Sequence, residues 1–396
     1  MRGGGAKFYK ASLYIYEMQR VSPRGEWTLI ANSYSMPLAK KVCAYLKAKN
    51  VTCVLESVVD KKFPDGSSFV KVGPSVMGNK VIVIHNHLVG QPEQTNYDLF
   101  LIADALKRAN DEGVTLCPTY FVSRGDKRDE GRVPIAAKMY ADLLQKAAGS
   151  KLERVTTVHL HAGQVQGFFD VPVDNIGTLP LFSWYIKNKL FKEIFSSGQQ
   201  AKALAVLAPD KGSTVIAREA ANHLGVPLSL RTKIRRDFEE EEGTVHTDSL
   251  EFSPSLRGRH VLIFDDLVDT GSTLIQASDD LVELHGAKSV WFFPSHLVMS
   301  KDKEGIPAEE RMKNAKSKPK VVTTDTIQRS EEYLDQNSSW LHCVLSVAPL
   351  LGESIYRQIN AMSIADLHKK PEEFESIIAD CFRNNAASYL RENGAE

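Results

Sequence analysis

The chain alternates short, uninterrupted apolar runs with longer stretches in which apolar residues return every three or four positions. Val81-Ile82-Val83-Ile84, Leu204 to Ala208 and Val261-Leu262-Ile263-Phe264 are of the first kind, the pattern of strands covered on both faces of a parallel sheet. Tyr97 to Arg108 is of the second, with Leu99, Leu101, Ile102, Ala105 and Leu106 at helical spacing, and so is the stretch from Leu274 through Ile275, Ala277, Leu281 and Leu284. Pro37 to Lys49, Ile135 to Ala147, Thr214 to Leu224 and Leu350 to Asn360 read as further helices. Val51 to Val58, Val114 to Phe121, Val155 to His161, Leu228 to Arg231, Val290 to Phe293, Val321 to Ile327 and Leu341 to Val347 read as further strands. Strand, helix and strand in this order predict right-handed crossovers and mainly parallel sheets flanked by helices, an α/β architecture. The pattern occurs twice, on either side of a boundary near Asn175 to Pro180.

Several strands run directly into polar loops, where α/β folds keep their ligand sites. Val261 to Phe264 leads into Asp265, Asp266 and then Asp269-Thr270-Gly271-Ser272-Thr273, which opens the next helix. Backbone N–H groups and hydroxyls at a helix N-terminus suit a phosphate, which the macrodipole favours. Asp265 and Asp266 repel a bare phosphate and suit sugar hydroxyls or Mg²⁺ instead. Val114 to Phe121 precedes a charged loop containing Arg124, Gly125, Asp126 and Lys127, which would read as solvated surface were it not placed after a strand. In a strand, His159 and His161 stand two apart on one face, so they could share a metal. Leu228 to Arg231 feeds a loop carrying Lys233, Arg235 and the acidic run Glu239 to Glu242, whose tip reads as solvated.

Taken together, these strings resemble the ribose-phosphate pyrophosphokinase family, the synthetases of 5-phosphoribosyl 1-pyrophosphate (PRPP). Asp265 to Thr273 resembles the ribose-5-phosphate loop of the type I phosphoribosyltransferase fold, and His161-x-x-Gln164-x-Gln166-Gly167-Phe168-Phe169-Asp170-x-Pro172-x-Asp174-Asn175 resembles the synthetase signature. The resemblance implies two tandem type I phosphoribosyltransferase-like domains. The expected division is an N-terminal extension over 1–28, an ATP-side domain over 29–175, a ribose-5-phosphate domain over 176–348 and a helical tail over 349–396, its first part packing on the N-terminal domain. It implies an enzyme that makes PRPP and AMP from ATP and ribose 5-phosphate by Mg²⁺-dependent diphosphoryl transfer, for nucleotide biosynthesis. Phe63, Asp65, Arg124, Asp126, Lys127 and His161 are then expected to bind ATP. Asp210, Asp265, Asp266, Asp269, Thr270, Gly271, Ser272 and Thr273 are expected to bind ribose 5-phosphate, and Lys233 and Arg235 to carry catalysis. His161 and Asp210 are the expected metal ligands, with His159 standing where the family has Asp.

This chain departs from the family at Ser67, where Glu is usual, at Gly125 in place of Gln, and at Met77 in place of an Arg that would pair with phosphate. Ser67 and Gly125, together with His159, keep a second reading open, a catalytically silent regulatory subunit of such an enzyme. A third, a transferase that consumes PRPP, leaves Arg124, His161 and the rest of the first 175 residues without a role.

Composition narrows the setting. At 396 residues the chain is long for a single domain. Lys plus Arg and Asp plus Glu both number 49, which gives no global field for nucleic acid or an anionic membrane. Five scattered cysteines with no C-x-x-C pair suit reduced intracellular thiols. No apolar run reaches the ~18–20 residues of a membrane span, and Met1 onward lacks a secretory apolar core, so a soluble cytoplasmic protein is expected. The resemblance adds a homo-oligomer, dimer-based, with hexamers common in the family. Lys301 to Lys320 reads as an exposed, Lys-rich insertion.

Overall fold

The computed structural model describes residues 27–73, 76–110, 112–121, 125–127, 131–194, 203–209, 213–240, 243–253, 255–369 and 371–392; for 193–194, 231–253, Thr273, 368–369, Pro371, 384–388 and Glu392 it describes the backbone only. The N-terminal extension therefore lies outside the described residues up to position 26. The chain forms two compact units. Of the described residues, one unit comprises those up to Gly177 with Thr326–Gln328 and Ala348–Ala365, and the other comprises those of Thr178–Asp325, Arg329–Val347 and from Asp366 on.

The first unit is built on a seven-stranded sheet. Its strands are β1 (Trp27–Ala31), β2 (Cys53–Lys62), β3 (Ser68–Val72), β4 (Lys80–His85), β5 (Val114–Pro118), β6 (Leu152–Val158) and β7 (Val173–Ile176), in the order β3-β2-β1-β4-β5-β6-β7. All neighbours are parallel except β3, which hairpins back antiparallel onto β2 at the edge. The apolar run of β4 is buried from Val81 through His85, as a strand covered on both faces requires. Helices α1 (Met36–Ala48), α2 (Pro92–Ala109) and α3 (Ala136–Ala148) turn their apolar stripes to this sheet. The core gathers Ile30, Val83, Leu99, Ile102, Leu116, Tyr140, Leu144 and Val155.

The second unit is built on an eight-stranded sheet of β8 (Leu204–Ala208), β9 (Leu228–Glu240), β10 (Gly243–Ser253), β11 (His260–Val268), β12 (Ser289–Leu297), β13 (Lys320–Thr324), β14 (Leu341–Leu345) and β15 (Leu390–Glu392). The order is β10-β9-β8-β11-β12-β13-β14-β15, parallel from β9 to β14 with antiparallel strands at both edges. Helix α4 (Leu179–Tyr185) continues through a π turn, Ile186–Leu190. It is followed by α5 (Thr214–Leu224), closed by Gly225 at φ +66°, and by α6 (Ser272–Glu283) and α7 (Ala308–Asn314). Val261, Ile263, Val290, Phe292, Val321, Trp340 and Leu341 form its core. The chain then returns to the first unit as α8 (Ala348–Ile359) and to the second as α9 (Pro371–Tyr389), which leads into β15. The expected two mainly parallel, helix-flanked sheets are thus found.

Candidate functional site

In the second sheet, successive connections run to one side from β8 and then return across it to β11, so the strand order reverses between β8 and β11. Ligands of open α/β sheets bind outside the carboxyl ends of the strands at such a switch point. The loop after β11 stands there. β11 does not stop at Phe264, as its apolar run suggests, but continues to Val268. Asp265 and Asp266 are therefore strand residues, half-buried, with Asp265 opposite Pro294 of β12 and the Asp266 N–H donating to Asp265 Oδ1 at 2.9 Å. Pairing with β12 extends the strand beyond the point where side-chain composition alone ends it.

The chain then turns through Asp269, Thr270 and Gly271. Gly271 has φ +70°, the left-handed conformation that glycine adopts without steric cost, and its carbonyl accepts the N–H of Ile275 at 2.9 Å. Helix α6 has no side-chain cap and no acid in its first turn. Its leading amides are the groups a helix cannot satisfy internally, which suits an incoming anion. Thr270 Oγ1 and Ser272 Oγ lie 3.4 Å apart beside them. The Val268 carbonyl accepts from Val298 and Met299, and the Asp269 carbonyl accepts from Ser300, which ties the loop to the segment after β12.

Arg311 of α7 also reaches this loop and escaped the sequence reading. One guanidinium nitrogen donates to the Thr270 carbonyl and another to Ser272 Oγ, while Asp302 Oδ2 lies 3.1 Å from it. The expectation of an exposed insertion over 301–320 holds for Lys301, Lys303, Lys313, Lys316 and Lys318, which are exposed, and is corrected for one face of the helix among them. Ala308, Met312 and Ala315 are buried at 0%, 2% and 6% exposure, because they form a helical stripe facing the core. That i, i+4, i+7 spacing was the available signal, masked by the surrounding lysines.

The remaining expected residues of this unit are less fully described. Asp210 lies outside the described residues, just beyond the end of β8. Lys233 and Arg235 are not in a loop: β9 runs on to Glu240 and pairs with β10, placing Lys233 opposite Leu250 and Arg235 opposite Asp248. The cross-strand ladder supplies the backbone hydrogen bonds that the polar composition obscures. The side chains of Lys233, Arg235 and Thr273 lie outside the description.

In the first unit, Phe63 and Asp65 occupy the β2–β3 turn. Phe63 is 47% exposed, with its ring edge-on to Phe69. Asp65 Oδ1 accepts from the Ser67 N–H at 2.9 Å and the Ser67 hydroxyl at 2.7 Å, and these bonds lower its pKa. Asp65 is thus a turn brace in this structure. Arg124 lies outside the described residues. Asp126 accepts a hydrogen bond from Gln164, which brings the 125–127 loop to the turn Gly163–Phe168. Gly125 gives its carbonyl to the Ala137 N–H, and a Cβ there would stand 3.2 Å from Ala136 Cβ, leaving little room for a longer residue.

His159 and His161 do not share a strand face. β6 ends at Val158, and His159 has φ +41°, so the chain leaves the extended conformation before either imidazole. The Leu160 N–H donates to Asn175 Oδ1 at 2.8 Å, which holds the turn, and His161 is exposed. Asp174 takes a two-oxygen salt bridge from Arg154 Nη1 at 2.9 and 2.8 Å, a structural assignment. At the switch point of this sheet, between β1 and β4, the Tyr34 hydroxyl donates to Asp98 at 3.2 Å. The adjoining His85, whose pKa burial lowers to about 4, contacts the Thr95 carbonyl at 2.9 Å.

Among the described residues no three His, Cys, Asp or Glu side chains cluster as a metal site, and no helix is long and apolar enough to cross a membrane. The donor set nevertheless discriminates. Mg²⁺ takes oxygen ligands and needs only one or two carboxylates beside phosphate and water, a demand that Asp265 and Asp266 fit better than the imidazoles of His159 and His161.

The chain matches two family models, the N-terminal domain of ribose phosphate pyrophosphokinase over residues 27–149 and the phosphoribosyl transferase domain over 173–327. A ribose-phosphate pyrophosphokinase of Campylobacter jejuni is 33% identical over 343 residues, 86% of this chain and 98% of that protein. One of Hyphomonas neptunium is 34% identical over 342 residues, again 86% and 98%. The crystal structure of phosphoribosylpyrophosphate synthetase from Mycobacterium smegmatis superposes with a TM-score of 0.66 at 29% identity, covering 85% of this chain and 99% of that one. Both domain matches and near-complete coverage of the relatives agree with the doubled fold, and the chain belongs to the ribose-phosphate pyrophosphokinase family of enzymes.

Proposed function

We propose that this chain forms PRPP and AMP from ribose 5-phosphate and ATP. The 1-hydroxyl oxygen of the sugar attacks the β-phosphorus and its proton passes to water, while the bond from that phosphorus to the α-phosphate oxygen breaks and AMP leaves with the electron pair. In-line transfer of this kind depends on positioning and charge neutralisation rather than covalent catalysis. The observation that carries the reading is the uncapped N-terminus of α6 behind Gly271, at the switch point of the second sheet. There the amides and hydroxyls of Asp269 to Thr273 would take the 5-phosphate, with Asp265, Asp266 and Asp210 toward the ribose hydroxyls. Phe63, Asp65, Arg124, Asp126, Lys127 and His161 would hold ATP, and Lys233 and Arg235 would meet the charge that develops between the substrates. Asp265 and Asp266 are the residues that would hold Mg²⁺, which when bound neutralises phosphate oxygens.

The reading extends to a homo-oligomer, to a cytoplasmic enzyme of nucleotide biosynthesis, and to weak or absent activation by phosphate. Met77, 55% exposed in the turn ending at Asn79, cannot pair with an anion. The test is AMP and PRPP release by the purified protein from ATP, ribose 5-phosphate and Mg²⁺. Turnover supports the reading. Absence of AMP, with intact binding of both substrates, points to a silent regulatory chain, and nucleotide formation from PRPP and a base points to a transferase.

A further inference from the structure

The geometry points to Arg311 as a positioning residue that sets the conformation and charge of the loop at Thr270 to Ser272 for the 5-phosphate of the sugar, an inference that rests on the function proposed above. From Val261 to Thr273 the chain carries three carboxylates, Asp265, Asp266 and Asp269, and no lysine or arginine. A phosphate dianion arriving at the α6 amides therefore meets a loop whose own side chains repel it. Arg311 brings a permanent positive charge to that loop from a separate helix.

Its bonds also define shape. Donation to the Thr270 carbonyl and to Ser272 Oγ spans Gly271, so the guanidinium pins both sides of the one residue in the left-handed conformation. Accepting from Arg311 occupies a lone pair of Ser272 Oγ and turns its own O–H away from the cation, toward Thr270 or a bound phosphate oxygen. Arg311 Nε is buried without a hydrogen-bond partner among the described residues. The side chain is thus held by its terminal nitrogens, on the loop and on Asp302.

Asp302 is itself fixed. Its Oδ1 accepts the N–H groups of Glu304 and Ile306, both at 2.9 Å, and its Oδ2 faces Arg311. The buried stripe of Ala308 and Met312 seats α7 on the unit. A planar fork bridging two acceptors is a task lysine cannot fully take over, although lysine keeps the charge.

The test compares Arg311→Met, Arg311→Lys and Asp302→Asn with the wild type in steady-state assays and in calorimetric titration with ribose 5-phosphate. Arg311→Met should raise the KM for ribose 5-phosphate at least tenfold while the KM for ATP stays within twofold and the protein keeps its circular dichroism spectrum. Arg311→Lys should recover part of the loss, and Asp302→Asn should shift the same constant by a smaller factor. An unchanged KM for ribose 5-phosphate, or a loss shared equally by ATP, overturns the role; should Arg311→Met not fold, the Lys and Asn variants decide on the same readout. A wild type that forms no AMP defeats the proposed reaction instead. Arg311 is then judged by titration alone: binding of ribose 5-phosphate by the wild type and its loss in the variants upholds the role, and equal binding or none overturns it.

Discussion

The Tyr45 hydroxyl donates to Glu353 Oε2 at 2.6 Å, joining α1 to α8 inside the first unit. Glu353, 2% exposed, also accepts from Arg357 Nε at 2.8 Å, and Arg357 is 5% exposed. Removing one member of a buried charged pair strands the other. Glu353→Ala is expected to cost ~3–5 kcal/mol, and Tyr45→Phe, which removes one hydrogen bond to a charged group, ~1.5–3 kcal/mol. Urea unfolding of the three proteins checks both values. The neighbouring Gly352 should tolerate nothing larger, because a Cβ there would stand 2.5 Å from Tyr45 Cδ1.

Gly271 offers a different test, since space is not what restricts it. A Cβ would meet Ile275 and Val268 at 3.6 and 3.7 Å, ordinary contact distances, so Gly271→Ala is opposed by the backbone alone. The strain of holding a left-handed residue is ~1–2 kcal/mol. The variant should unfold at a slightly lower temperature and bind ribose 5-phosphate more weakly, with ATP binding unchanged. Parallel loss of both substrates in titration would contradict a loop dedicated to the sugar phosphate.

His159, at φ +41°, is also in the left-handed region, where Asn and Asp are accommodated and β-branched residues are not. His159→Val should lower stability by ~1–3 kcal/mol, whereas His159→Asn should fold as the wild type does. His159→Asp should hold or raise activity if the position contributes to metal binding. A collapse of turnover in that variant, with stability retained, would give the imidazole a role of its own.

In the second unit Glu375 joins three elements of the chain. Glu375 of α9 lies 2.5 Å from His223 Nε2 of α5 and 2.9 Å from Lys187 Nζ in the π turn. Burial alone raises its pKa, but the bonds from His223 and Lys187 outweigh that and hold it below the ordinary carboxylate value. A carboxylate depressed on folding contributes stability above its unfolded pKa of ~4.3 and loses it as pH falls through the lower folded value. Glu375→Gln should therefore be less stable than the wild type at neutral pH, with the gap closing as pH falls below ~4. A difference independent of pH in thermal scans would show that the junction is not ionic.

Turnover should fall far more than ATP affinity in Lys233→Ala, as expected of a group that meets charge only in the transition state. Equal loss confined to ATP binding, read by pre-steady-state and titration experiments, would place Lys233 in ground-state binding instead.

The strands at 81–84, 204–208 and 261–264 were legible because burial on both faces demands an unbroken apolar run, a property each segment carries locally. The helix stripes were legible for the same reason, and the loop at Asp269 to Thr273 stands out because Gly271 and its hydroxyl neighbours follow such a strand. The sequence by itself thus determined the doubled α/β plan and the position of the loop at Asp269 to Thr273. What a segment pairs with is not local. Asp265 and Asp266 entered β11 because β12 lies beside them, and the charged stretch 232–240 became a strand because β10 returns along it. His159 left the strand geometry within a turn held by Asn175. Only the tertiary structure brought Arg311 to Ser272 across 39 positions of sequence, because the α7 stripe that seats it is buried by neighbours rather than by any pattern within the loop it serves.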